Sequence, residues 1–201
     1  MSTKTRTRHT QRAFTKYLLR NYKGAIEDFT ELLKIDNGNT EALFNRALSK
    51  TEIGDRNGAI NDYDQIIKKE GKFKPKGFLM ATVYNNKGYC LVELEKYNEA
   101  LPLLNKAIEL GPDESYIWGS RGELFYKQGD YTHCISDMNK GIELLESKKT
   151  KATDFGKGEK QYYRGLAEIK LGMKNEGCAD LIIAEKLGEL EAEKEIKLYC
   201  K

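Results

Sequence analysis

The chain has 201 residues, 32% of them charged, with 34 Lys and Arg against 31 Asp and Glu for a net charge of +3. So small a basic excess argues against a protein built chiefly to bind nucleic acid, and only three prolines beside abundant Leu, Ile, Ala, Glu and Lys suit helices with solvated faces. No apolar run reaches the length of a membrane span, and the start, MSTKTRTRHTQR, is basic without an apolar stretch behind it, so the reading is a cytoplasmic protein without a secretory signal.

The octet YKGAIEDF at residues 22–29 returns as RNGAINDY (56–63), YNEALPLL (97–104), YTHCISDM (131–138) and KNEGCADL (174–181). The copies start 34, 41, 34 and 43 residues apart, so a 34-residue period is kept twice and stretched twice. That is the period of a helix-turn-helix unit that buries its apolar face only by stacking on its neighbours. Ahead of each octet stands a basic residue followed by a small one: Arg12-Ala13, Arg46-Ala47, Lys87-Gly88, Arg121-Gly122 and Arg164-Gly165. Twelve positions after each small residue comes Ala25, Ala59, Ala100, Cys134 or Gly177, which marks two backbones that cross closely. Turn signals between them, among them Gly54-Asp55, Gly129-Asp130 and Gly172, stop one helix and cap the next. A continuous array of this kind makes the chain one elongated unit.

With these landmarks in register five times, the chain resembles a tetratricopeptide repeat (TPR) protein over residues 6–188. The resemblance implies an all-α fold, a right-handed α-α superhelix of five helix-turn-helix repeats plus a C-terminal capping helix. In chain order its parts are a basic N-terminal tail at 1–5, repeats at 6–39, 40–73, 81–114, 115–148 and 158–188 with insertions near 74–80 and 149–157, and the capping helix at 189–201. Small residues then fall at repeat positions 8 and 20, and large apolar ones at 24 (Phe29, Tyr63, Leu104, Met138, Leu181). Pro112 and Trp118 take the family's closing and bulky positions, while Arg20 and Glu95 stand where a turn glycine belongs. The FLM end of the first insertion lengthens the third repeat's first helix after Pro75. In the capping helix Leu187, Leu190, Ile196 and Tyr199 recur at helical spacing and so should face the stack, whereas Phe14, Leu18 and Leu19 at the other end lack such cover.

Every repeat with Arg at position 7 has Asp at 23 (Arg12 and Asp28, Arg46 and Asp62, Arg121 and Asp137, Arg164 and Asp180), whereas the repeat with Lys87 has Leu103. This co-occurrence reads as ion pairs between packed helices, in the same or the next repeat, rather than as a cationic ladder for a ligand. Cys90, Cys134, Cys178 and Cys200 are scattered without a C-x-x-C and read as free core thiols. His133 and Cys134 are adjacent on a helix, point about 100° apart and cannot share one metal ligand.

In TPR proteins the first helices line a concave groove that commonly holds extended peptides. Carried onto this chain, the groove positions give Tyr17, Phe44, Asn45, Asn85, Asn86, Tyr89, Tyr116, Tyr126 and Tyr163, an aromatic and amide-rich surface suited to a peptide backbone. Some rings, Phe14 and Tyr162 foremost, would instead pack between repeats. Asn45 and Asn86 match the asparagines of the clamp that captures chaperone C-terminal tails, but Glu41, Thr82, Tyr116 and Ser120 stand where its cations belong, so that partner is disfavoured. The reading is a non-catalytic protein or peptide-binding module without cofactor or metal, since no phosphate loop, G-x-S-x-G or H-E-x-x-H occurs. Nucleic acid or another acidic partner is the alternative, through the basic N-terminus and an edge of Lys72, Lys74, Lys148, Lys149 and Lys151. Glu41, Glu52, Glu93 and Glu123 on the groove count against it.

Overall fold

The computed structural model describes residues 3–69, 77–147 and 156–201, and all regular structure among them is helical. The helices are α1 Thr3–Leu18, α2 Tyr22–Ile35, α3 Thr40–Glu52, α4 Arg56–Ile67, α5 Gly77–Glu93, α6 Tyr97–Leu110, α7 Ser115–Gln128, α8 Tyr131–Ser147, α9 Lys157–Lys170, α10 Lys174–Lys186 and α11 Ala192–Tyr199. The first helix starts at Thr3, inside the stretch read as a tail, and α5 is lengthened as the FLM segment implies. Contacts divide the chain into two compact units, one ending at Leu103 and one running from Leu104 to Lys201, where the repeats alone suggest a single continuous one. The division falls inside α6, within the third repeat.

In the first unit α1 packs on α2, α2 on α3, α3 on α4 and α4 on α5. The paired small residues Ala13, Ala25, Ala47, Ala59 and Ala100 are fully buried, as are Phe29 and Tyr63 beside them. In the second unit α7, α8, α9, α10 and α11 pack in order around Leu104, Leu124, Met138 and Leu181. The crossing is tightest at Gly165 and Gly177, where a Cβ on Gly177 would lie 2.5 Å from the carbonyl oxygen of Gly165. Side-chain caps start the helices: Asn21 Oδ1 accepts from the N–H of Gly24 at 3.1 Å, Asn39 Oδ1 from Ala42 at 3.0 Å, and Asp55 Oδ1 from Gly58 at 2.9 Å. Gly54, Gly129 and Gly172 turn the chain with φ of 83°, 80° and 84°. Arg20 and Glu95 adopt the same left-handed conformation at φ 59° and 58°, without glycine's freedom.

The four Arg/Asp pairs form within their own repeats. Arg46 Nε and Nη2 donate to Asp62 at 2.9 and 2.6 Å, and Arg121 does the same to Asp137 at 2.7 and 2.8 Å. Arg12 grips Asp28 and Arg164 grips Asp180 likewise. The guanidinium's third nitrogen reaches the preceding repeat: Arg46 Nη1 to Thr30 Oγ1 at 3.1 Å, Arg121 Nη1 to Asn105 Oδ1 at 2.7 Å, and Arg164 Nη1 to Asn139 Oδ1 at 2.5 Å. Thr30, Asp64, Asn105 and Asn139 are the same repeat position. Lys87, which has Leu103 in its own repeat, donates to Asp64 at 2.7 Å and so keeps only the backward link. Its carboxylate partner therefore lies in the previous repeat rather than in its own.

One position inverts the pattern. Lys16 and Lys50, four residues after their arginines, place a second cation on the same aspartates, at 2.9 Å from Asp28 and 2.8 Å from Asp62. The fifth repeat has Glu168 there. It is buried, its Oε2 has no hydrogen-bond partner, and desolvation first, then the charge of Asp180, pushes its carboxyl up to about 7, with Arg164 pulling it down and Glu176 raising it further.

Three expectations are corrected. Cys178 and Cys200 are not free thiols but a disulfide, because the last helix folds back along α10 and brings their Cα atoms to 5.6 Å; Cys90 and Cys134 remain free and buried. Leu190 does not cover the stack and is 85% exposed, since the chain turns at Gly188 (φ 96°) and α11 begins only at Ala192, whose side chain is the buried one. Phe14 does not pack between repeats: it is 47% exposed, on the same helix end as the exposed Leu18 and Leu19.

Candidate peptide-binding faces

On the first unit, Tyr17, Phe44, Asn45, Asn86 and Tyr89 are all half-buried. Phe44 stands edge-on to the buried Tyr63 at 6.2 Å, and Tyr17 edge-on to Tyr22 at 5.6 Å. Desolvation raises the hydroxyl of Tyr17, with the charge of Glu52 adding to it. Asn45 donates to its own helix, to the Glu41 carbonyl at 2.9 Å, and Asn86 Oδ1 accepts from Asn85 at 3.2 Å. Asn85 itself is not a surface residue. It is 4% exposed with an unpartnered Oδ1, because α5 buries the stripe Ala81, Asn85, Gly88 and Val92 at the three- and four-residue spacing of one helix face.

The second unit has the denser aromatic face. Tyr116 is 36% exposed. Tyr126 lies 5.5 Å from Tyr163 and 5.7 Å from Tyr131, and Tyr163 stands edge-on to Tyr162 at 5.4 Å. Tyr126 and Tyr163 also pack against the buried cluster of Cys134, Met138 and Ala167, so they are part core and part surface. Desolvation foremost, with Tyr131, Tyr162 and Glu195 nearby, pushes the Tyr126 hydroxyl up to about 12. Glu123, expected on the groove, is buried and bridged to Lys127 at 3.1 Å. His133 bonds the exposed Asp130 at 2.7 Å while Cys134 turns inward, so the two point apart.

Beside this face, the N-terminal turn of α9 and the connection from α10 to α11 enclose a cleft of about 470 Å³. Its walls are Tyr162, Tyr163, Leu187 and the carboxylates Glu159, Glu189 and Glu191, with bare backbone at Gly156, Gly158 and Gly188. Tyr162, expected between repeats, is half-exposed and lines the cleft, and the groove positions pointed to Tyr163 but not to the acids. Their signal was the spacing of Glu189, Glu191, Glu193 and Glu195 in a segment read only as a cap. Lys72, Lys74, Lys148, Lys149 and Lys151 lie outside the described residues. Among the described residues no helix is long and apolar enough to cross a membrane, and no group of three His, Cys, Asp or Glu could hold a metal ion.

Two family models described as tetratricopeptide repeat match residues 41–71 and 81–114. The chain is a tetratricopeptide repeat protein. It is 32% identical over 92 residues to the TPR repeat-containing thioredoxin TDX of Arabidopsis thaliana, covering 46% of this chain and 22% of that one. Over 93 residues it is 34% identical to Hsc70-interacting protein 1 of Drosophila melanogaster, with the same coverage, 46% of this chain and 22% of the relative. The chain thus spans about a quarter or less of the length of these relatives. A crystal structure of MamA protein superposes with a TM-score of 0.72 over 98% of this chain and 97% of that one at 21% identity, which shows the fold of the right-handed TPR superhelix. That fold is one of protein–protein interaction scaffolds.

Proposed function

We propose that this TPR protein is a non-catalytic module that holds a peptide or protein segment on the aromatic faces of its first helices. The observation that carries this reading is the Tyr126–Tyr163 contact at 5.5 Å, which joins α7 and α9 into one half-exposed aromatic surface continued by Tyr162. Tyrosine gives large contact area with little rotamer freedom to lose and keeps a polar tip for a peptide backbone. In the first unit Tyr89, Phe44 and Asn86 offer the same chemistry. Chaperone-tail capture stays disfavoured despite the Hsc70-interacting relative, because Glu41, Thr82, Tyr116 and Ser120 stand where the clamp's cations belong.

The test is affinity capture from native lysate with the full chain and with Tyr89→Ala and Tyr116→Ala combined. These two are chosen over Tyr126, whose loss would open the core. The expected outcome is near-unchanged melting with loss of a protein partner by tenfold or more, the scale of interface hot spots. Undiminished capture by that variant, or recovery of RNA with steep salt dependence, overturns the reading.

A further inference from the structure

The cleft between α9 and the α10–α11 connection is acidic among the described residues. Three of its lining residues, Glu159, Glu189 and Glu191, are acidic and none is basic. Of the neighbouring cations among the described residues, Lys157 Nζ lies 2.6 Å from Glu146, whereas Lys160, buried with its stem against Gly141, donates to the Gly156 carbonyl at 3.1 Å and offsets part of the charge of Glu159. Desolvation first, then the neighbouring Glu191, raises the Glu189 carboxyl. The acidic field continues along the aromatic face, where Glu195 acts on both Tyr162 and Tyr126.

Size and wall chemistry narrow the occupant. About 470 Å³ lies within the roughly 300–1,000 Å³ of small-ligand sites, more than a water cluster needs and enough for one long side chain with its backbone. The tyrosine pair supplies an apolar flank for a methylene stem and ring electrons for a cation, and the carboxylates stand across from it. Phosphates and acidic tails meet repulsion here.

We propose that the cleft is a subsite for the lysine or arginine side chain of a partner segment laid on the second unit's aromatic face. The proposal rests on the reading of that face as a protein-binding surface.

The experiment uses the full chain, isotopically labelled for amide NMR, titrated with an acetylated, amidated tri-lysine peptide and with its tri-norleucine counterpart, which keeps the stems and lacks the charge. Expected is saturable movement of the Gly158, Tyr162 and Gly188 amides with tri-lysine, at least tenfold weaker with tri-norleucine, and at least tenfold weaker with tri-lysine on a Glu189→Gln/Glu191→Gln variant of unchanged melting. Equal binding of both peptides, or no effect of the glutamines, overturns the cationic subsite while leaving the aromatic face as a peptide surface. Silence of the cleft toward both peptides, with a captured partner still lost on Tyr116→Ala, overturns the subsite alone. If silence is joined by a partner indifferent to Tyr116, both readings fall.

Discussion

Glu168 offers a perturbation whose sign and size follow from one comparison within the chain. At the corresponding place Lys16 and Lys50 bring a second cation to Asp28 and Asp62, whereas Glu168 brings a second carboxyl to Asp180. The groups facing it are Arg164 on its own helix and Asp180 and Glu176 on α10. Its carboxyl titrates near 7 in the folded chain against an ordinary 4.5, so the folded state holds the proton more tightly than the unfolded state. Below pH 4.5 both states carry it. Between 4.5 and 7 only the folded state does, and stability falls with rising pH across that window, levelling off above about 8. At about 1.4 kcal/mol per pH unit the full interval corresponds to about 3 kcal/mol, an upper figure because solvent near α10 relieves part of it. Urea denaturation of the native chain and Glu168→Gln from pH 4.5 to 8.5 measures it: the difference between them should swing by about 2–3 kcal/mol against the native chain as pH rises. Glu168→Lys should remove the slope and raise stability at pH 8 by recreating the arrangement around Asp62. A pH-independent difference, or a Glu168→Lys variant less stable than the native chain at pH 8, refutes the reasoning.

Four further perturbations test the repeat architecture. Glu95→Gly, relieving a side chain held at φ 58°, should stabilise by about 1 kcal/mol in a thermal melt, against glycine's usual helix penalty. Gly177→Ala puts a Cβ 2.5 Å from backbone rather than from a yielding side chain, so it should cost about 1–3 kcal/mol or more, while Ala59→Gly is mild. Reducing the Cys178–Cys200 disulfide should lower stability by about 3 kcal/mol for a separation of 22 residues, with amide exchange rising in α11 before the rest; a melt unmoved by reductant would count against a formed bond. Combining Leu103→Asp with Lys87→Arg should install the missing clamp, with favourable coupling of about 1 kcal/mol or more in a double-mutant cycle.

The repeats, the helix pairs and the close crossings were legible because each rule recurs with one period, so five weak local signals reinforce one another. The arginine clamps were legible for the same reason: Leu103 departs from Asp in the one repeat where Lys87 departs from Arg. What the sequence concealed are features that occur once. The disulfide joins α10 to the chain end through a fold-back that no spacing announces. Asn85 was placed on the surface by its repeat position, but in α5 the buried stripe of Ala81, Gly88 and Val92 runs through it. The acidic wall of the cleft lies outside the repeat register, in the turn at Gly188 where helical spacing no longer tells which side a residue faces.

The clamps place much of the packing specificity at positions apart from the proposed binding residues. Each of Arg46, Arg121 and Arg164 ties three helices together, through the aspartate of its own repeat and a polar group of the one before. Specificity of packing is thereby invested in buried charge at repeat positions 7 and 23, where a single unpaired partner would cost several kcal/mol. The rings of Tyr89 and Tyr116 are partly exposed, apart in sequence from those two positions. Tyr126 and Tyr163 are the exception, since they close the core over Cys134 and Met138 while facing outward beside the cleft. A partner seated there touches residues whose packing already holds α7, α8 and α9 together, and so should tighten the second unit as it binds.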